Sequence, residues 1–272
     1  MEVVRRGGQP GSPFAAYVRD SLDPGLVMQV DSEADIDRRW AYFMAGKPDF
    51  LKLFLLTSEQ HAQWRSDPKF EGNRGIDPAL VPALVKRAHA AGLQVSAHVY
   101  TAADFRVAVE GGVDHIAHIP GGPTAAAPRF LLTDRDAQRA AQRQVTVATT
   151  VSQHGDSALT DRLMREQYVH NITVLRKNGA KLVLGSDAID ESGTAEVAAL
   201  RRSKLFTNLE LLRLWSVITP QSIFPHRKIG LLQDGYEASF LVLRNDPLAD
   251  FTATRGITIR VKQGTRMLAV AP

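Results

Sequence analysis

The sequence contains no cysteine. Disulfide bonds and thiolate metal ligands are therefore excluded, and any metal ion must be held by histidine, carboxylate or modified amine side chains. The sequence also lacks a run of 18 apolar residues, and no apolar stretch follows Arg5 and Arg6 near its start. Neither a membrane span nor a secretory signal is therefore predicted in this chain. The cellular compartment stays open, and it would be the cytoplasm if Met1 is the true start.

Positive charge is present but is not concentrated. The net charge is +4, and the densest basic group, Arg201, Arg202 and Lys204, is short and has no aromatic residues among its members. This pattern is typical of a solvated helix face, so neither a nucleic acid nor a membrane is expected as a partner. A hydrophobic content of 44% with 23% charged residues is ordinary for a globular protein, and it leaves a homo-oligomer open.

A single lysine interrupts the apolar segment at residues 49–56. In an extended strand, Lys52 shares one face with two phenylalanines, and three leucines occupy the other face. A strand that is apolar on both faces is typical of a parallel sheet covered by helices. Burial lowers the pKa of a lysine amine and leaves a neutral, nucleophilic nitrogen. The plainer interpretation is that Lys52 extends from the strand end to water.

Strand-like and helix-like segments alternate along most of the chain. The predicted strands are residues 26–30, 49–56, 93–98, 113–118, 145–150 and 181–185. The predicted helices are residues 32–46, 77–92, 101–112, 133–144, 160–178, 196–206 and 208–218. Five strand–helix units are clear and a sixth is weaker, and this repetition favours a parallel sheet with a (β/α) barrel as the leading candidate.

The end of the chain has a different pattern, with short β-like segments separated by turns. We therefore predict an α/β fold, an incomplete (β/α)8 TIM-type barrel followed by the C-terminal strands of a small composite β domain. The predicted divisions are an irregular N-terminal segment at residues 1–23, a partial barrel at 24–222 and a β-domain segment at 223–272.

Four predicted strands end, or nearly end, in a potential metal ligand or base. These residues are Lys52, His98, His118 and Asp187. In barrels of this type, the functional residues lie at the C-terminal ends of different strands. Each residue taken alone favours a structural role, whereas the joint pattern favours a functional site.

The sequence resembles the amidohydrolase superfamily, in particular its imidazolonepropionase-like and prolidase-like branch. The matching segments are Phe50-Leu51-Lys52-Leu53, Val95-Ser96-Ala97-His98, Gly112 to His118, Leu184-Gly185-Ser186-Asp187, and a tail at residues 229–243 followed by Asn245-Asp246-Pro247-Leu248. Each segment is a weak signal, but their order and spacing make a specific match. The resemblance covers the chain from about residue 30 onward.

The resemblance implies a metal-dependent hydrolase of carbon–nitrogen bonds in a small-molecule amide, cyclic amide or dipeptide. Its metal ligands would be Lys52, carboxylated on Nζ, with His98, His118 and Asp187. Asp187 would also be the catalytic residue that moves the proton. Zinc is the leading divalent metal, with two ions in a complete protein and one or none in this chain. Tyr100 and Ser186 are the predicted substrate-binding residues.

Two histidines lie in the predicted strand at residues 113–118. Because His115 and His118 are three residues apart, a regular strand would point them to opposite faces. The resemblance selects His118 as the ligand. We therefore expect His115 to face the helices and to have a structural role.

The resemblance fails at one point, because the sequence contains no His-x-His pair of the kind that supplies two further ligands in the family. Either the part that carries this pair lies outside the chain, or the chain lacks a metal site. The alternative function is therefore a catalytically inactive, truncated amidohydrolase-like barrel. A third hypothesis is a barrel enzyme that uses Lys52 to form a Schiff base, although the two histidines and Asp187 argue against it.

Overall fold

The computed structural model describes residues 2–4, 27–67, 75–122, 127–154, 162–187 and 193–268. Most of the segment predicted as irregular, residues 1–23, lies outside these ranges. In the described part of that segment, Glu2–Val4 forms a short strand, β1, where an irregular segment is predicted. Three residues are too few to show a period, and β1 is defined by pairing in parallel with strands on both sides.

Strands and helices alternate after β1. In chain order they are β2 (Val27–Gln29), α1 (Glu33–Ala45), β3 (Phe50–Phe54), α2 (His61–Trp64), α3 (Val81–Ala90), β4 (Gln94–His98), α4 (Ala102–Gly111), β5 (His115–Ile116), α5 (Asp134–Gln142), β6 (Thr146–Ala148), α6 (Arg162–Lys177), β7 (Lys181–Val183) and α7 (Thr194–Ser203). The strands form one sheet in the order β2-β1-β3-β4-β5-β6-β7. The predicted fold, an incomplete (β/α)8 barrel, is confirmed, and the weak sixth unit is β2 with α1.

The remainder of the chain contains short helices and a second, smaller sheet. The helices are α8 (Asn208–Arg213), continued by a π-helical turn at Leu214–Ile218, and α9 (Thr219–Ile223). The strands β8 (Phe240–Leu243), β9 (Ile257–Lys262) and β10 (Thr265–Met267) pair antiparallel in the order β10-β9-β8. The predicted β segment is therefore present, although the part of its last strand beyond residue 268 lies outside the described residues.

The chain divides into two compact units, which are described separately. The first comprises Met1–Thr149 and Thr160–Leu182, and the second comprises Thr150–Leu159 and Val183–Pro272. The predicted division at residues 222 and 223 stays a prediction. Among the described residues, no helix is long and apolar enough to cross a membrane.

Helix starts in the first unit follow the capping signals in the sequence. Ser32 accepts a hydrogen bond from the Asp35 amide at the start of α1. At the start of α4, Thr101 and Asp104 form a reciprocal capping box, in which each side chain accepts from the other residue's backbone N–H. Before α3, Asp77 caps a short 3-10 turn that begins at Pro78. These local signals explain why several helix boundaries were predicted within a few residues.

One face of the barrel sheet is packed against the helices. Leu51 and Leu53 of β3, Val95 and Ala97 of β4 and Ile116 of β5 are all fully buried. They alternate with the residues of the opposite face, on which Phe50 is 47% exposed and Lys52 is only partly buried. The apolar residues on both faces predict that both faces of β3 are covered, whereas only the leucine face is fully buried in the described structure.

Polar side chains of helices hold the loops that follow three of the strands. The backbone N–H of Thr57, after β3, donates to Asp104 of α4, and that of Gly122, after β5, donates to Gln167 of α6. In the second unit the Val151 N–H donates to Glu196 of α7. The two partners are 45 to 47 residues apart in every case. Each pair therefore spans about one strand–helix unit.

The leucine face of β3 makes the first testable prediction. Leu53→Ala should lower the free energy of unfolding by about 2–5 kcal/mol, because the truncation leaves a cavity between the sheet and the helices. The matched control is Leu163→Ala on α6, where the leucine is 36% exposed, and its cost should be below about 1 kcal/mol. Urea denaturation followed by circular dichroism measures both. Equal losses would contradict the assigned orientation of β3.

Candidate active site at the strand ends

His98 and His118 lie beside each other at the C-terminal ends of neighbouring strands. His98 is the last residue of β4, and His118 follows the end of β5 by two residues. Their rings are 4.6 Å apart between centroids in an edge-to-face arrangement. The two residues that the sequence pattern selected as ligands are therefore brought together by the fold.

His98 is held on its other side by β3. Its ring stacks on Phe54 with a centroid distance of 4.3 Å and an interplanar angle of 11°. Phe54 and His98 are direct partners in the parallel pairing of β3 with β4, and Lys52 is the partner of Ser96 two residues earlier. Lys52 and His98 therefore lie on the same face of the sheet, one pleat apart.

Burial and the nearby charge of Lys52 lower the pKa of His98 to about 3. Burial is the larger cause, because an imidazolium ion loses its hydration. At neutral pH the imidazole is uncharged, and one of its ring nitrogens carries a free electron pair. A neutral imidazole is the form of histidine that binds a metal ion.

His115 lies on a different face from the one expected. The regular strand β5 ends at Ile116, and the backbone bends at residues 117–118. The register pairs His115 with Ser96, which shares a face with His98, and the His115 Nε2 atom is 3.2 Å from Gln94 Oε1. The prediction that His115 faces the helices was therefore wrong, because the strand stops before the alternation reaches His118. Burial lowers the pKa of His115, with Lys181 adding to the shift and Asp114 opposing it.

Tyr100 lies two residues after His98 and is fixed by close packing. Its ring contacts Phe130 edge to face at 5.3 Å between centroids. Gly122 lies so close that a Cβ atom there would be 2.7 Å from the Tyr100 hydroxyl and 2.9 Å from the Phe130 ring. The hydroxyl therefore has a defined position in the first unit. Its predicted role in substrate binding stays a prediction.

Ser186 and Asp187 belong to the second unit and follow β7. The Leu184 N–H, just before them, donates to the Thr219 hydroxyl at 2.9 Å. Asp187 is exposed and has a positive φ of 53°, a conformation that costs free energy in a residue other than glycine. Functional sites often retain such strain, but the roles of both residues stay predictions.

The described residues contain no group of three His, Asp or Glu side chains that could hold a metal ion. His98 and His118 supply two imidazoles, so a third ligand in the first unit depends on Lys52. An unmodified lysine amine is a cation when protonated, whereas its carbamate is an oxygen donor of the kind that divalent ions accept. This donor set fits a metal ion only after modification of Lys52.

The shifted pKa of His98 predicts a pH dependence of stability. The unfolded chain takes up a proton near pH 6.5, whereas folded His98 takes it up only at about pH 3. The free energy of unfolding should therefore fall as the pH falls from 6.5 towards 3, and His98→Gln should make this fall shallower. Urea denaturation at several pH values measures it. His226→Gln, at an exposed histidine, controls for the general effect of losing a histidine, and an equal change in both variants would contradict the assignment.

Comparison with solved structures shows the same fold in hydrolases. A prolidase complexed with N-methylphosphonate-L-proline superposes with a TM-score of 0.70 at 19% identity, covering 98% of this chain and 67% of that chain. A Xaa-Pro dipeptidase with bound methionine gives 0.70 at 16% identity, covering 98% and 66%. The ochratoxinase of A. niger gives 0.73 at 18% identity, covering 97% and 64%. The chain therefore spans about two thirds of the length of these proteins.

No curated protein sequence matches the chain. Residues 47–264 match the amidohydrolase family, and the match includes every residue predicted for the site. The family and the fold together support a hydrolase that acts on carbon–nitrogen bonds. The chain belongs to the amidohydrolase family.

Proposed function

We propose that this protein is a metal-dependent hydrolase of carbon–nitrogen bonds in small amides, cyclic amides or dipeptides. The observation that carries the proposal is the pair of histidine rings 4.6 Å apart at the strand ends, with Lys52 on the same face. Since the pKa of His98 is lowered to about 3, its imidazole is ready to bind a cation at neutral pH.

The proposed ligands in the first unit are His98, His118 and the carbamate of Lys52. A bound divalent metal, with zinc as the leading candidate, supplies Lewis acidity that activates water and polarises a carbonyl group. The chain's own contribution is to present the neutral imidazole of His98 next to the His118 ring and to place Lys52 on the same face of the sheet. Carbamate formation joins the Lys52 nitrogen to carbon dioxide and releases one proton from the amine.

Asp187 is the proposed residue that takes the proton from the attacking water and delivers it to the leaving nitrogen. Its support is its place in the Leu-Gly-Ser-Asp segment after β7. Tyr100 and Ser186 are proposed to orient the substrate. The prolidase and the Xaa-Pro dipeptidase of similar fold favour a dipeptide among the possible substrates.

The alternative is an inactive barrel that lacks the His-x-His ligands. It is favoured by one observation: the described residues contain no third His, Asp or Glu that completes a metal group with the two histidines. Zinc binding and hydrolysis of a panel of Xaa-Pro dipeptides, N-acyl amino acids and cyclic amides distinguish the two functions. A chain that binds no zinc and hydrolyses none of these compounds would favour the alternative.

Lys52 provides a direct test of the metal ligands. After loading with zinc and bicarbonate, the wild-type chain should retain about one zinc ion, as expected for one three-ligand site. Lys52→Ala should lose this zinc because only two imidazoles remain. Lys86→Ala, at an exposed lysine of α3, is the matched control and should retain it. Elemental analysis after gel filtration measures the zinc, and equal retention in all three proteins would contradict the ligand role of Lys52.

Asp187 is tested by an isosteric change. In a chain with measurable hydrolysis, Asp187→Asn should lower kcat about 10²–10⁴-fold because the amide cannot accept the proton. KM should change much less than kcat. The same change at exposed Asp234 is the control for a lost surface carboxylate. An unchanged kcat in Asp187→Asn would exclude the proposed role.

A further inference from the structure

A buried carboxylate lies between the loops that follow the two site-bearing strands. Asp104, on α4, is fully buried. Its Oδ2 atom accepts the backbone N–H groups of Thr57, Tyr100 and Thr101 at 3.0, 3.1 and 2.8 Å. Its Oδ1 atom accepts the N–H and the hydroxyl of Ser58 at 2.7 and 2.5 Å. Five hydrogen bonds therefore converge on one side chain.

These donors come from two different strands. Thr57 and Ser58 follow β3, which carries Lys52, and Tyr100 and Thr101 follow β4, which ends at His98. The carboxylate therefore joins the two loops where Lys52 and His98 lie on neighbouring strands. An apolar side chain at position 104 would leave four backbone donors, two of them buried, without this acceptor.

The backbone of the loop after β3 is strained at Thr57, and the hydrogen bonds to Asp104 stabilise this conformation. Thr57 is buried and has a positive φ of 52°, a conformation that is rare for a β-branched residue. Its own N–H and that of the next residue both donate to Asp104. The sharp turn at Thr57 is thus maintained by the carboxylate, and it ends β3 at a defined point.

Asp104 also belongs to the capping box of α4, so its role as a loop anchor must be separated from its role as a cap. Asp136 offers the comparison within the first unit. It occupies the same third position of α5, forms the same box with Thr133, and is largely buried. The Asp136 carboxylate also accepts hydrogen bonds from the Arg106 guanidinium on α4, at 2.8 and 3.1 Å.

We propose that Asp104 is a positioning residue, whose buried carboxylate fixes the end of β3 against the end of β4 and thereby aligns Lys52 with His98. The proposal rests on the proposed function in one respect: the purpose of the alignment is to hold two proposed metal ligands in place. The alignment itself is visible without metal or substrate, because His98 stacks on Phe54 at the two strand ends.

The test follows that stacking by NMR at pH 7. A histidine ring stacked on a phenylalanine experiences an upfield ring-current shift. The difference in the His98 signal between the wild type and Phe54→Leu gives the full size of this shift. Asp104→Asn should remove most of this shift and should accelerate hydrogen exchange of the Thr57 and Ser58 amides about tenfold or more relative to the rest of the first unit. Asp136→Asn, which removes the matching cap carboxylate, should leave both signals as in the wild type.

A folded Asp104→Asn protein with the wild-type His98 shift would overturn the proposal. If Asp104→Asn does not fold, Ser58→Ala replaces it, since it removes one of the five bonds and should give a smaller change in the same direction. An unchanged His98 shift in Ser58→Ala together with unchanged exchange would then overturn the proposal.

A zinc titration connects the alignment to the proposed function. In a wild-type chain that binds zinc, Asp104→Asn should weaken the affinity about tenfold or more, as observed when residues that orient ligands are removed, and Asp136→Asn should not. Equal affinity in Asp104→Asn and the wild type would overturn the role in aligning the ligands. A wild-type chain that binds no zinc would contradict the proposed function, and the NMR comparison would still decide whether Asp104 positions the strand ends.

Discussion

The structure depends on the burial of one face of a parallel sheet. Leucine, valine and isoleucine side chains from successive strands fill the space under the helices, and this layer fixes the register of every strand that contributes to it. Because a shift of one residue would expose the whole layer, the register is strongly specified. The opposite face then receives Lys52, Ser96 and His115 in one row across the sheet. The position of Lys52 is therefore a consequence of leucine burial.

Polar groups in the core of the first unit serve the connections between strands. Asp104 and Gln167 are almost completely buried. Asp104 accepts backbone N–H groups from the loops after β3 and β4, and Gln167 accepts the N–H of Gly122 in the loop after β5. A buried polar group is costly unless it is hydrogen-bonded, and these groups are paired with donors that would otherwise be unsatisfied. These contacts therefore satisfy the backbone N–H groups of the loops and give the loops near the histidines their shape.

Much of this architecture could be predicted because it is encoded locally. The apolar segment at 49–56 and the Thr101–Asp104 capping signal identify a strand and a helix without any knowledge of their neighbours. The face of His115 could not be predicted, because it depends on where β5 stops pairing. The role of Asp104 in the loop after β3 could not be predicted, since its bonds to residues 46 and 47 positions away leave no local signature in the sequence.

The spacing of the loop contacts has a consequence for how the chain reaches this fold. The hydrogen-bond partners of the loops after β3, β5 and β6 lie 45 to 47 residues downstream, within the helix of the following strand–helix unit. During synthesis, each of these loops emerges well before the side chain that completes it. The N–H groups of each loop therefore lack their acceptor until the helix of the following strand–helix unit has been synthesised, and a pause in translation would leave the most recently made loop without that hydrogen bond.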